Sequence, residues 1–258
     1  MENTLALWLQ NKSENTKKSY TKIVQDFLES FTIDVGTKEV DKWVATLTDS
    51  PNTVRLKVAA LSSYFSKLHR WGYVNQNPFH GVELPKLDKT KKKSLSNTEL
   101  DKLLTCITFA YENRSKEKNM ARKTLIAIHL MTRLGLRVGS LKDLRVKDGR
   151  FYTSSKGRNI TGEFNVDLEY LKSLYVNLNV ELPFSNLNSK TIDRLLKKYG
   201  QESLGKNIHA HLFRHYFAQE LLKETKDIYE VSRKLNHSSV LVTEHYLRGI
   251  EFENGEYV

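Results

Sequence analysis

Late in this chain lies a concentration of side chains suited to work on phosphorus. It runs His211-Leu212-Phe213-Arg214-His215, then Leu235-Asn236-His237, then Tyr246. A second arginine stands far upstream, in Gly135-Leu136-Arg137-Val138-Gly139-Ser140. Arginine presents a planar fork of donors that fits a phosphate, and imidazole gives or takes a proton near neutral pH. A tyrosine hydroxyl is able to attack phosphorus and form a covalent intermediate. Together these residue types suit phosphoryl transfer without a metal ion. Tyr216, Tyr229 and Tyr257 compete for the nucleophile's place. The first two fall within helical patterns that fit core or surface roles, and the third lies in the tail.

These residues must be held by helices for the most part. In the first 86 residues, Tyr20, Ile23, Val24, Phe27, Leu28 and Phe31 form one stripe of an amphipathic helix. Gly36-Thr37 opens a second, with Val40, Trp43, Val44 and Leu47 inward. Ser50-Pro51 starts a third, serine at the N-cap and proline in the first turn, running to Trp71 and stopping at Gly72. With a short helix near Leu5–Leu9, the reading is a bundle of about four helices whose aromatic stripes are core. Asn77-Pro78 and Leu84-Pro85 break the pattern, and residues 87–94 read as a basic linker. Its Lys89, Lys91, Lys92 and Lys93 are candidates for DNA-backbone contact, or for an exposed solvated tether.

Residues 95–258 form the second predicted domain. Ser96-Asn97-Thr98-Glu99 is a capping box that opens a helix. After a polar break over 112–119, a helix ends at Leu134-Gly135 and Arg137 begins a short new one. Residues 150–154 and 159–166 predict a β-hairpin with Lys156 at its turn. Lys147 and Arg158 are close by in sequence. Four helical stretches follow, near 168–178, 189–199, 212–223 and 227–235. His215 reads as a helix-packing or supporting residue, and His209 and His245 as surface or local hydrogen-bonding groups. The fold class is therefore mainly α with a small β-hairpin or sheet.

The chain's 258 residues carry a net charge of +11, and the surplus is shared. Residues 1–94 hold 15 Lys/Arg against 10 Asp/Glu, and residues 95–258 hold 26 against 20. Both halves can thus face a polyanion. No apolar run approaches the roughly 18 residues that span a bilayer. A lone cysteine, Cys106, excludes an internal disulfide, and no Cys/His cluster has zinc spacing. With no secretion signal at Met1-Glu2-Asn3-Thr4, the expected compartment is reducing and cytoplasmic.

Five short matches in order now carry a family resemblance. They are Gly135-Leu136-Arg137-Val138, Lys156 at the hairpin, His211-x-x-Arg214-His215, Leu235-x-His237, and Tyr246 nine residues after His237. The chain resembles the tyrosine recombinases, or phage integrases, and the exit of its bundle from Gly72-Tyr73 to Lys86 is similar to the Xer-like members. The resemblance implies a core-binding bundle over 1–86, a catalytic domain over 95–258, and a C-shaped clamp around DNA. It also implies site-specific strand exchange through a 3′-phosphotyrosine link, with no metal or other cofactor. Arg137 and Arg214 would hold the scissile phosphate. His211 and His237 would donate to it or help move the tyrosine proton, Lys156 would protonate the departing 5′ oxygen, and Tyr246 would be the nucleophile. The implied partner is double-stranded DNA bearing a specific recombination site, met by a homotetramer or with a partner recombinase, away from any membrane. Two features depart from the pattern: Ser140 replaces a usual acidic residue, with Asp143 one turn later, and Asn236 replaces a glycine. A recombinase-derived DNA binder that does not cut, and a nicking-resealing enzyme, are the rival readings.

Overall fold

The computed structural model describes residues 2–87, 95–155, 157–174, 183–247, 252–253 and 256–257. The chain divides into two compact units, Met1–Thr90 and Lys91–Val258. Among the described residues no helix is long and apolar enough to cross a membrane.

The first unit contains α1 (Glu2–Leu9), α2 (Glu14–Leu28), α3 (Thr37–Thr46) and α4 (Pro51–Arg70). Local chemistry sets their starts. Ser13 and Ser50 each accept a hydrogen bond from a first-turn backbone N–H, and Pro51 occupies the first turn of α4, where its missing donor costs nothing. The rings are core, as the stripes predict. Phe27 packs against Phe31 and Trp43 at 4.9 Å each and Phe79 at 5.3 Å. α1 is tied to α4 by Thr4 and Tyr64 hydroxyls 3.0 Å apart and by Trp8 Nε1 donating to Ser63. One boundary differs: α2 stops at Leu28, so Phe31 reaches the core from beyond the helix. The run Thr32-Ile33-Asp34-Val35 that follows is rich in β-branched residues, which disfavour continuing the helix.

In the second unit, α5 (Asn97–Asn113), α6 (Lys118–Leu134) and α9 (Ser189–Leu204) pack on one another, and α10 (His211–Thr225) lies against α6. The capping box is present: Ser96 accepts from Glu99 N, and the Glu99 carboxylate accepts from Ser96 N. Leu103, Ile107, Leu125, Met131, Leu196 and Phe213 fill the core between these helices. The remaining helices are α7 (Val138–Leu141), α8 (Leu168–Leu174), α11 (Ile228–Lys234) and α12 (Val240–Leu247). A three-stranded antiparallel sheet runs in the order β1 (Arg145–Lys147), β2 (Arg150–Ser155), β3 (Arg158–Glu163). A two-stranded ladder, β4 (Phe252–Glu253) and β5 (Glu256–Tyr257), closes the chain.

Four features of this unit differ from the sequence-based expectation. The break after α5 is only residues 114–117, shorter than 112–119. α9 continues through Gly200 to Leu204, and Ile208 packs where a side chain at 200 would begin. The hairpin gains β1, joined to β2 by Asp148-Gly149 with φ of 49° and 70°, a pair suited to a two-residue turn. Three residues are too few for alternation to show. Lastly, α12 has no strong apolar periodicity, yet it is the helix on which position 246 falls.

Candidate active site

Four loops and helix ends of the second unit converge here. α6 ends at Gly135, which takes a left-handed φ of 62° and abuts the Phe217 ring where a Cβ would sit. Glycine is required there both by conformation and by space. The turn delivers Arg137 to the N-cap of α7 in extended geometry, and its Nη1 donates to Ser155 Oγ at the end of β2, 3.2 Å away. A second link holds the same two elements, Thr153 Oγ1 donating to the Ser140 carbonyl at 2.7 Å.

Arg214 sits in the first turn of α10 and is 2% exposed. Nη1 donates to the Gly135 carbonyl at 2.5 Å and Nη2 to the Leu235 carbonyl at 2.6 Å. One guanidinium thereby joins the end of α6 to the end of α11, residues 79 and 21 positions away. Arginine's planar fork can span two such acceptors, and each charge-assisted bond is stronger than a neutral one.

His211 opens α10, and the backbone N–H of its neighbour Ala210 donates to Asp193 Oδ1 of α9 at 3.1 Å. The ring is open to solvent on part of its surface. Desolvation on its other sides, followed by the charges of Arg214 and Arg137, holds its pKa below the ordinary value. His237 follows Asn236, whose φ of 50° supplies the left-handed step for which asparagine is tolerated. His237 Nδ1 lies 2.9 Å from Thr243 Oγ1 of α12. Desolvation first, then Arg214 and Arg137, push the His237 pKa down to about 4, so the ring is neutral near pH 7.

Four of the six predicted catalytic side chains, Arg137, Arg214, His211 and His237, therefore share one electrostatic neighbourhood. Tyr246 is on α12, three residues after Thr243, and only its backbone is described. Lys156 lies outside the described residues. Ser155 pairs with Arg158, and Gly157 takes a φ of 75°. Lys89, Lys91, Lys92 and Lys93 also lie outside the described residues. Lys147 and Arg158 are exposed on the sheet, and Tyr229 is exposed on α11. His215 is buried within α10, and His209 is exposed.

An open cavity of about 740 Å³ adjoins Arg137 and His211, with Ser155, Asp193, Lys197 and His209 on its other walls. Ser155, Asp193 and Thr243 are supporting residues that sequence reasoning passes over. Ser155 and Asp193 act through contacts 18 and 17 positions away and Thr243 through one six positions away, and none sits in a recognisable motif. The acidic brace expected three residues after Arg137 is absent. Ser140 is buried, and Asp143 is exposed and lies 3.9 Å from Lys142. The Ser155 hydroxyl takes the arginine's hydrogen bond instead.

The sequence model of the phage integrase family matches residues 93–251. The chain belongs to the phage integrase family. The tyrosine recombinase XerC of Oceanobacillus iheyensis is 30% identical, over 92% of this chain and 86% of the relative. Among solved structures, a lambda integrase fragment crystallised as a dimer on a COC′ core site has a TM-score of 0.77 and 18% identity, covering 98% of this chain and 96% of that one. A lambda integrase tetramer on a Holliday junction gives 0.76 and 17%, covering 98% and 78%. At that identity the structures speak for the fold, which is the mainly helical integrase architecture with its small antiparallel sheet.

Proposed function

We propose that this protein is a site-specific DNA recombinase, cutting and rejoining duplex DNA through a covalent 3′-phosphotyrosine intermediate. The observation that carries this reading is that buried Arg214, one turn after His211, donates to the carbonyls of Gly135 and Leu235, which lie two residues from Arg137 and two from His237. Such a concentration of cations and polarised donors favours an anion, and above all the extra negative charge of a phosphoryl-transfer transition state. Membership of the family supports the same reading.

In the proposed step, Tyr246 Oη bonds to the scissile phosphorus as its hydrogen passes to a base. His211 is the residue proposed to take that proton. The bond from phosphorus to the 5′ oxygen breaks, its electron pair stays on that oxygen, and Lys156 supplies the proton that makes it a hydroxyl. Arg137, Arg214 and His237 bear on the phosphate oxygens. A 5′ hydroxyl from another strand reverses the step, and the number of phosphodiesters is unchanged without ATP. Neither a metal nor another cofactor has a part in it. Residues 1–86 act as a DNA-binding bundle, 95–258 as the catalytic domain, and Lys89, Lys91, Lys92 and Lys93 of the 87–94 linker contact the DNA backbone. Strand exchange joins two duplexes, so the working assembly is a tetramer on DNA, all of one chain or shared with a partner recombinase. The tetramer on a Holliday junction among the structural neighbours supports this.

The test is covalent trapping in EDTA on a nicked suicide substrate drawn from DNA flanking the gene. A protein–DNA adduct that disappears in Tyr246→Phe is the expected result. Specific binding with no adduct would replace this reading with a DNA binder that does not cut. An adduct that only relaxes supercoils, with no exchange between duplexes, would leave a nicking-resealing enzyme.

A further inference from the structure

Thr243 differs from three other helical threonines of this unit. Thr124, Thr132 and Thr225 each donate their hydroxyl to the carbonyl four residues earlier, at 2.8, 2.9 and 2.8 Å. Thr243 is fully buried in α12, and its hydroxyl instead meets His237 Nδ1 at 2.9 Å. A buried hydroxyl proton needs an acceptor. Among the described residues, the acceptor that Thr243 reaches is that ring nitrogen.

We propose that Thr243 is a positioning residue whose hydroxyl donates to His237 Nδ1, and so fixes His237 as the tautomer carrying its hydrogen on Nε2. A neutral imidazole has one hydrogen for two nitrogens, and the bond made by one nitrogen decides the other. With Nδ1 committed as an acceptor, Nε2–H is a donor. The Nε2 atom is buried, in the field of Arg214 and Arg137. An N–H there serves an anion, and a bare lone pair would serve as a base. Thr243 therefore assigns His237 to the phosphate rather than to the tyrosine proton, and it does so from the same helix that carries Tyr246. The inference rests on the recombinase reading for its consequence, but not for its geometry.

The tautomer is measured on the full-length protein without DNA, by long-range proton–nitrogen NMR of labelled histidine near pH 7, with His237→Gln assigning the signal. The expected wild-type spectrum shows Nε2 protonated and Nδ1 bare. Thr243→Val removes the hydroxyl and keeps the shape, and it should release the ring to a mixture of tautomers. On the suicide substrate at saturating DNA, Thr243→Val should lower the adduct-formation rate about tenfold with DNA affinity within about twofold, a loss confined to the chemical step. Thr243→Ser should restore most of the rate, and Thr243→Val should cost nothing further in a His237→Ala background. A wild-type ring protonated at Nδ1, or an unchanged rate in Thr243→Val, would overturn the proposal. A protein that shows the Nε2–H signal but never forms an adduct would instead sink the recombinase reading and leave the tautomer assignment standing.

Discussion

In residues 1–90 the largest fully buried side chains are rings, Tyr64, Phe27 and Phe65; in residues 91–258 the largest is the guanidinium side chain of Arg214. The two interiors answer to different physical demands. Rings gain from contact area and offset or edge-on geometry, and neighbouring hydrophobes can adjust around them. A buried cation accepts no such adjustment. It needs oxygen acceptors at hydrogen-bond distance, and leaving them unmade costs the whole desolvation penalty. The second unit has accepted that constraint at the junction of α6, α10 and α11, where Gly135 and Leu235 supply the acceptors.

The largest effect should come from exchanging the guanidinium for an ammonium. Arg214→Lys keeps the charge but not a planar fork able to meet both carbonyls, and adduct formation on the suicide substrate should fall by about 10³-fold or more. A loss of less than about tenfold would mean that charge alone matters and that the contrast between the two interiors is overstated. Next comes Phe27→Ala in the first unit, which empties the centre of the ring cluster. It should cost about 3–5 kcal/mol in denaturant unfolding of the full chain. All three tryptophans, Trp8, Trp43 and Trp71, lie in that unit, so their fluorescence reports the change locally.

The smallest effect is a pH dependence belonging to the second unit. His129, His211 and His237 all have pKa values lowered in the folded state, in each case chiefly by desolvation. From about pH 6.5 down to about 4 the unfolded chain therefore binds more protons at these rings than the folded one, and stability falls as pH falls. After discounting for partial solvent exposure, the His237 share is on the order of 1–2 kcal/mol. Glu99, Glu117 and Glu202, lowered by lysine and arginine partners, act in the window below their ordinary value of 4.5. Thermal melts followed by circular dichroism between pH 7 and 5 should show the decline, and His237→Gln should make it shallower. Stability that rises on acidification over this range would contradict the assignment.

Much of this arrangement is legible in the order of the residues. Ser96 and Glu99, Ser50 with Pro51, and the stop at Leu134-Gly135 act within one helical turn, so short stretches of sequence carry them. The link from Arg137 to Ser155 is not legible, because it joins a helix start to a strand end 18 residues away. Neither is β1, held by pairing with β2, nor α12, whose apolar residues make no clear stripe and include the exposed Leu241 and Val242. Elements that depend on neighbours for their existence leave little mark on local periodicity.

The amino-acid sequence alone determined which chemical groups the chain possesses, where most helices begin and end, and which five short motifs mark its family. The tertiary structure decided which of those groups act on one another. Arg137, Arg214, His211 and His237 lie up to a hundred positions apart, and their common field exists only once α6, α10 and α11 are packed. It also decided that a serine hydroxyl, not a carboxylate, meets Arg137, and that a threonine meets His237. The reason is that propensity and capping are short-range, whereas a hydrogen bond between distant elements is specified by the whole packed core.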